Sequence, residues 1–105
     1  MMKNIILEIQ KLKKFNDHKP QKETLWAGDT SRINLMNLLP GQEIKPHLHD
    51  GDHIWVVLEG SGVLLSTEGN DQAFSTGNII IAPRGQFHGV RNNTNGNLVF
   101  ASITV

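Results

Sequence analysis

Along the chain, short apolar runs alternate with polar punctuation at intervals too close for long helices. The runs SRINLMNLL, HIWVVLEG, GVLLSTE, NIIIAP, FHGVRN and NLVFASITV are separated by PGQ, HDGD, EGSG, EGND, PRGQ and NTNGN. Such β-prone segments, bounded by Gly, Pro, Asn and Asp, predict strands and turns. Several of them at this spacing predict an all-β sandwich or barrel. The first fifteen residues fit two patterns: Ile5, Ile9, Leu12 and Phe15 lie near helical spacing, whereas NIIL favours β, so a short N-terminal helix or strand is expected. In HIWVVL, side chains alternate across the strand, sending His53, Trp55 and Val57 one way and Ile54, Val56 and Leu58 the other. An outer face meeting water would carry polar residues. The second trio therefore needs a cover from another sheet or another subunit, and a homodimer is expected.

Composition narrows the picture. A chain of 105 residues holds one core, read as a single domain over residues 1–105. Ten basic and ten acidic side chains give zero formal charge, so neither nucleic acid nor an anionic membrane is expected as a partner. Cysteine is absent, which excludes disulfides, thiolate metal ligands and Cys nucleophiles, and tyrosine is absent too. Any metal must bind through N or O atoms. The N-terminal MMKNIILEIQKLKK has a three-residue apolar run before Glu8, short of a signal region or membrane span, and a cytoplasmic location is expected.

The stretch PHLHDGDHIWVVLEG carries three of the five histidines. His47 and His49, at i and i+2, share a face on a strand but not on a helix. In a straight strand His49 and His53 would stand roughly 13 Å apart at about 3.3 Å per residue, so the chain must bend between them. Asp50-Gly51-Asp52 is a strong turn signal that would return His53 on a neighbouring strand beside His49. His18, in a polar loop, reads as a surface residue.

These residues also carry a resemblance. GQEIKPHLHDGDHIWVVLEG, residues 41–60, resembles the first motif of the cupin superfamily: a glycine, five residues, HxH, three residues, a ligand, six residues and a glycine. GNIIIAPRGQFHGVRN, residues 77–92, is similar to the second, with Gly77, Pro83, Gly85, His88 and Asn92 at the family's intervals. The resemblance implies a double-stranded β-helix, the cupin jelly-roll barrel of six to eight strands. It also implies one divalent transition metal inside, on His47, His49, His53 and His88. Where the family usually has glutamate this chain has His53, as in small single-domain cupins with the HxHxxxH arrangement. Four neutral imidazoles leave a divalent ion its full +2 charge, against +1 with one glutamate. That makes a stronger Lewis acid and a better trap for enolates, catecholates or carboxylates, and disfavours electron loss to oxygen. Manganese or iron is favoured, with nickel, zinc and copper also compatible with imidazole.

The chemistry expected is that of a metal-dependent enzyme of dioxygenase or oxidoreductase type acting on a small anionic or partly apolar organic molecule. The alternatives are a non-catalytic cupin that binds or senses a small ligand or metal, and a Lewis-acid isomerase or decarboxylase. Parity places Trp55 and Val57 with His53, Val90 beside His88, and Phe100 and Ser102 on one face of the last strand. With Met36, these are the candidate substrate-pocket residues. No side chain stands out as a general base, so a metal-bound water or dioxygen would have to serve. Arg84 and Arg32 read chiefly as solvated, with contact to an anionic substrate the functional alternative for Arg32.

Overall fold

The computed structural model describes residues 3–48, 51–67 and 69–105. After a four-residue helix, α1 (Ile9–Leu12), the described residues form β1 (Gln21–Ala27), β2 (Arg32–Leu38), β3 (Glu43–Leu48), β4 (His53–Glu59), β5 (Ser61–Leu65), β6 (Gln72–Ser75), β7 (Ile79–Ala82), β8 (Phe87–Arg91) and β9 (Leu98–Thr104). They build two antiparallel sheets, one in the order β1-β2-β9-β4-β7 and the other β3-β8-β5-β6. This is the all-β double-stranded β-helix expected from the motifs. Among the described residues no helix is long and apolar enough to cross a membrane.

The N-terminal ambiguity resolves as a helix of little more than one turn, with residues 3–8 irregular before it. The described strands exceed the expected six to eight because QKETLWA and QAFS also pair. Neither is an apolar run, and both are edge strands whose ladder partners substitute for intrinsic propensity.

A second difference matters more for the site. His53 returns on β4 of the five-stranded sheet, whereas β3 belongs to the other, so β3 and β4 lie in facing sheets and do not form a hairpin. Facing sheets pack about 10 Å apart. Imidazoles from both can still meet across the gap. Residues 49 and 50 themselves lie outside the described residues.

Register sorts the five-stranded sheet into rows. On the inner face, the first row is Ala27, Arg32, Thr104, His53 and Ala82, and the next holds Asn34, Ser102, Trp55 and Ile80. Deeper lie Met36, Phe100 and Val57, then Leu38 and Leu98. The deep rows join Phe74 and Val90 of the other sheet in one core, with Trp55 tilted on Phe100 at 5.3 Å between centroids. Thus the interior has an apolar floor and a polar mouth.

The outer face shows the parity read from HIWVVL. One row runs Trp26, Ile33, Ile103, Ile54 and Ile81, and a second runs Glu23, Leu35, Ala101, Val56 and Ile79. From β2 to β7 these rows contain no ionisable residue. A register shift after Val57 turns Glu59 to this same side, where Lys13 Nζ donates to Glu59 Oε1 at 2.6 Å. With Gln42 Nε2 donating to the Asn16 carbonyl at 2.6 Å, that contact ties the N-terminal segment down.

Two motif residues have local reasons. Gly60 takes a φ of 81°, and a Cβ there would sit on the Asn97 carbonyl. Buried Asn92 donates to the carbonyls of Leu38 (3.1 Å) and Gly96 (2.8 Å), while its Oδ1 accepts from the Thr94 amide and hydroxyl. It stitches the β8–β9 loop to the end of β2.

Candidate functional site

The imidazoles meet because two strands come unusually close. β3 is an edge strand carrying Pro46, which has no N–H to give the ladder, and the β3–β8 register shifts between Ile44 and His47. Opposite this irregularity stands Gly89, where a Cβ would fall 2.5 Å from the Ile44 carbonyl oxygen. Only a glycine lets the backbones approach so. Beyond the shift, His47 and His88 are direct cross-strand partners, a relation that brings side chains together on one face.

His53 approaches from the opposite sheet. Its pKa is lowered from the usual histidine value, first by desolvation and then by the charges of His47 and His88, with Asp52 opposing them. Three imidazoles that feel one another in this way favour the neutral, lone-pair-bearing form at His53.

Second contacts fix the rings. His47 Nδ1 stands 3.0 Å from the Lys45 carbonyl and His88 Nε2 3.3 Å from the Pro83 carbonyl. A carbonyl only accepts, so each of those nitrogens carries the hydrogen, and in the neutral ring the other nitrogen carries the lone pair. Ser102 Oγ lies 3.4 Å from His53 Nδ1, and the Trp55 ring meets His88 edge-on at 6.3 Å. His88 is buried and His47 exposed.

The remaining candidates separate. Trp55 and Ser102 border the imidazoles. Val57, Val90 and Phe100 are buried in the core with Met36 packed against it, a level below the mouth. His18 is exposed, its backbone amide bonded to Asn16. His49 lies outside the described residues. Among those described, no group of three His, Cys, Asp or Glu side chains is gathered closely enough to hold a metal ion. The donor chemistry nevertheless suits one: imidazoles with a carbonyl or hydroxyl behind them are the usual ligand and outer-shell pairing for first-row metals.

A cavity of about 460 Å³ opens beside His53, walled by Lys22, Arg32, Asn34, Thr104 and the loop from Gly28 to Ser31. Sequence reading named only Arg32 here as a contact for a substrate. The signal for the others was available in strand parity, since Arg32, Asn34 and Thr104 alternate on the same face as His53 once the β2–β9–β4 register is known.

Comparison with known proteins agrees with the fold and motifs. The cupin domain family profile matches residues 34–104, about two thirds of the chain. The chain is a cupin. An oxalate-binding protein from Thermotoga maritima is 30% identical over 71 residues, covering 67% of this cupin and 58% of that protein. Gentisate 1,2-dioxygenase from a Ralstonia species is 27% identical over 66 residues, covering 63% of the chain and 19% of the enzyme. The cupin thus spans less than two thirds of either curated relative. A solved structure from Thermus thermophilus is 31% identical with a TM-score of 0.87, each chain covered to 95%. An uncharacterized conserved protein with a double-stranded beta-helix domain from Klebsiella pneumoniae is 25% identical with a TM-score of 0.92, covering 98% of this cupin and 90% of that chain.

Proposed function

We propose that this cupin is a metal-dependent enzyme of dioxygenase or oxidoreductase type acting on a small anionic organic molecule. The observation that carries the reading is the His47–His88 pairing across β3 and β8 with His53 in electrostatic contact with both. His47, His49, His53 and His88 would hold one divalent transition ion, manganese or iron in preference. Such an ion supplies Lewis-acid polarisation of a chelating ligand and a site for dioxygen. The protein's part is to aim the rings: the Lys45 and Pro83 carbonyls accept from His47 Nδ1 and His88 Nε2, and Ser102 restrains the His53 ring. Gentisate and oxalate, named in the relatives, are both carboxylates, which agrees with an anionic ligand. Metal analysis of protein purified without chelator, followed by oxygen-uptake assays of the iron and manganese forms on enols, diketones, catechols and hydroxybenzoates, tests the reading. Fewer than about 0.1 ions per chain would refute it.

One observation favours a second reading, a binder without turnover. Among the described residues Asp29 is the single carboxylate on the cavity wall, and it lies on the loop away from the imidazoles. Stoichiometric ligand binding with no turnover by either metal form distinguishes the binder from the enzyme.

We also infer that the outer face of the five-stranded sheet pairs with a second copy of this chain. Ile79 and Ile81 are 64% and 60% exposed on it. Leu35 of β2 is fully buried, and Ile33 and Trp26 border the N-terminal Ile5 and Leu7, so β9, β4 and β7 are left to present on the order of 300 Å² in plan at about 4.8 Å between strands and about 3.3 Å per residue. That is over a third of the roughly 800 Å² per partner in a standard interface. The two rows from β2 to β7 carry no ionisable residue, so they pack on a second copy without burying a charge, and β7 is an uncharged apolar edge of the kind natural proteins cover.

A further inference from the structure

The mouth of the barrel is polar in one sense only. Arg32 and Lys22 make no ion pair among the described residues. Both stand on the cavity wall, where Asp29 is the one acid among the described lining residues, so the lining is net cationic. Asn34 faces the same space, and its Oδ1 is occupied by the Thr24 hydroxyl at 2.9 Å. Its amide N–H groups are therefore what it has left to offer. Thr104 adds a hydroxyl. The side of the cavity away from His53 is rich in donors, with Asp29 its one carboxylate among the described residues, and His53 is the imidazole on its wall.

Register fixes the span. Arg32 pairs with Thr104, and Thr104 with His53, in the same inward row. At about 4.8 Å per strand, Arg32 and His53 are separated by about 10 Å between backbones. Side chains on one face stand off the sheet side by side, so these two are about 10 Å apart at their bases, a span that a molecule of a few heavy atoms bridges. The volume of about 460 Å³ agrees with that, since small-molecule sites run from about 300 to 1,000 Å³.

We propose that Arg32, assisted by Lys22 and the Asn34 amide, is the anchor for a carboxylate, and that the ligand is a small organic acid bridging from Arg32 to His53. The planar guanidinium takes a carboxylate through two parallel N–H···O bonds, which fixes the acid's orientation as well as its charge. The far end of the acid, a hydroxyl, keto group or second carboxylate, is thereby aimed at His53. This deepens the reading of the site as one for small anions, but the anchor itself needs no metal.

The test uses full-length protein stripped with chelator and titrated calorimetrically with oxalate, malonate, succinate and benzoate, with malonamide as the uncharged control. At least one acid is expected to bind, more weakly as salt rises, and malonamide not at all. Arg32→Gln should weaken that binding at least tenfold, Arg32→Lys should fall between, and Lys22→Gln should cost two- to threefold. Melting curves establish that the variants fold, Arg32 being exposed. Unchanged affinity in Arg32→Gln, malonamide binding as tightly as malonate, or no acid binding to the wild type would each overturn the proposal. Metal content measured on the same variants separates the two readings. Arg32-dependent binding by a chain that takes no metal sinks the metal enzyme alone, and normal metal content with Arg32-independent binding sinks the anchor alone.

Discussion

Replacing Ile81 with lysine should dissolve the inferred dimer while leaving each barrel intact. Ile81 is 60% exposed and its neighbour in the next outer row, Ile79, is 64% exposed. Fully burying an isoleucine contributes about 1.5–3 kcal/mol, so covering the exposed part of both residues on both copies contributes about 4–7 kcal/mol. Ile81 supplies about half of that. Ile81→Lys removes it and also confronts two ammonium groups across a two-fold interface, where each residue meets the same patch of its partner. The expected loss is at least about 2–4 kcal/mol, which raises the dimer dissociation constant roughly 30- to 1,000-fold at 1.4 kcal/mol per tenfold. Sedimentation equilibrium of both proteins from about 1 to 100 μM measures this directly. Because Ile81 points outward on an edge strand, monomer circular dichroism should not change. A wild-type chain that stays monomeric throughout that range, or a variant with the same dissociation constant as wild type, refutes the reasoning.

Gly89→Ala should destabilise the fold by about 1–3 kcal/mol, as overpacking does, because its Cβ would fall 2.5 Å from the Ile44 carbonyl oxygen; it should also lower metal occupancy by disturbing the His47–His88 register, read by melting and metal analysis, and normal values of both would count against the close-approach argument. Asn92→Ala strips two carbonyls and Thr94 of their partner in a fully buried position, and at about 1 kcal/mol per bond plus the orphaned Leu38 carbonyl the expected cost in urea unfolding is about 2–4 kcal/mol. For pH, the folded His53 pKa lies below the unfolded value of about 6.5, so its contribution is complete above pH 6.5 and is lost as pH falls through the lowered folded pKa. Metal-free protein should therefore melt at falling temperature as pH drops below about 6.5, with a shallower slope in His53→Asn; an unaltered slope would assign the effect to other groups. His88→Ala should reduce bound metal at least tenfold in equilibrium dialysis, and retention of a full complement would remove His88 from the ligand set.

How much of this was legible follows from which physical signals are local. Strand parity in HIWVVL and LVFASITV is a local property, and both the inner set of His53, Trp55 and Val57 and that of Phe100, Ser102 and Thr104 share a face in the structure. β1 and β6 were not legible because their apolar content is low and their pairing is supplied by neighbours far along the chain. A break between β3 and β4 was visible in the sequence, but whether successive strands stay within a sheet or pass to the facing one depends on which strands compete for each edge. That is a property of the whole topology. Depth was hidden for the same reason: Phe100 and Ser102 are two residues apart on one face, yet one joins the core and the other stands 3.4 Å from an imidazole nitrogen.

That difference in depth suggests how stability and chemistry are separated in this barrel. The deep rows, Met36 with Phe100 and Val57 and then Leu38 with Leu98, pack against Phe74 and Val90 and hold the sheets together. The two mouth rows bring Arg32, Thr104 and His53, then Asn34 and Ser102, to the cavity side, polar side chains that add little apolar burial beside Trp55 and Ala82 of the same rows, which join the core. Deleting a deep side chain such as Phe100 carries a cavity cost of about 3–5 kcal/mol, comparable with the whole stability of a small domain. Exchanging an exposed mouth residue such as Arg32 leaves that packing untouched, because surface substitutions typically stay within about 0.5 kcal/mol. The fold therefore constrains the floor by packing and leaves the mouth to be set by the ligand. It follows that selectivity for the proposed acid should be sought in the first two rows, where this chain places an arginine and a third motif-one histidine in one row.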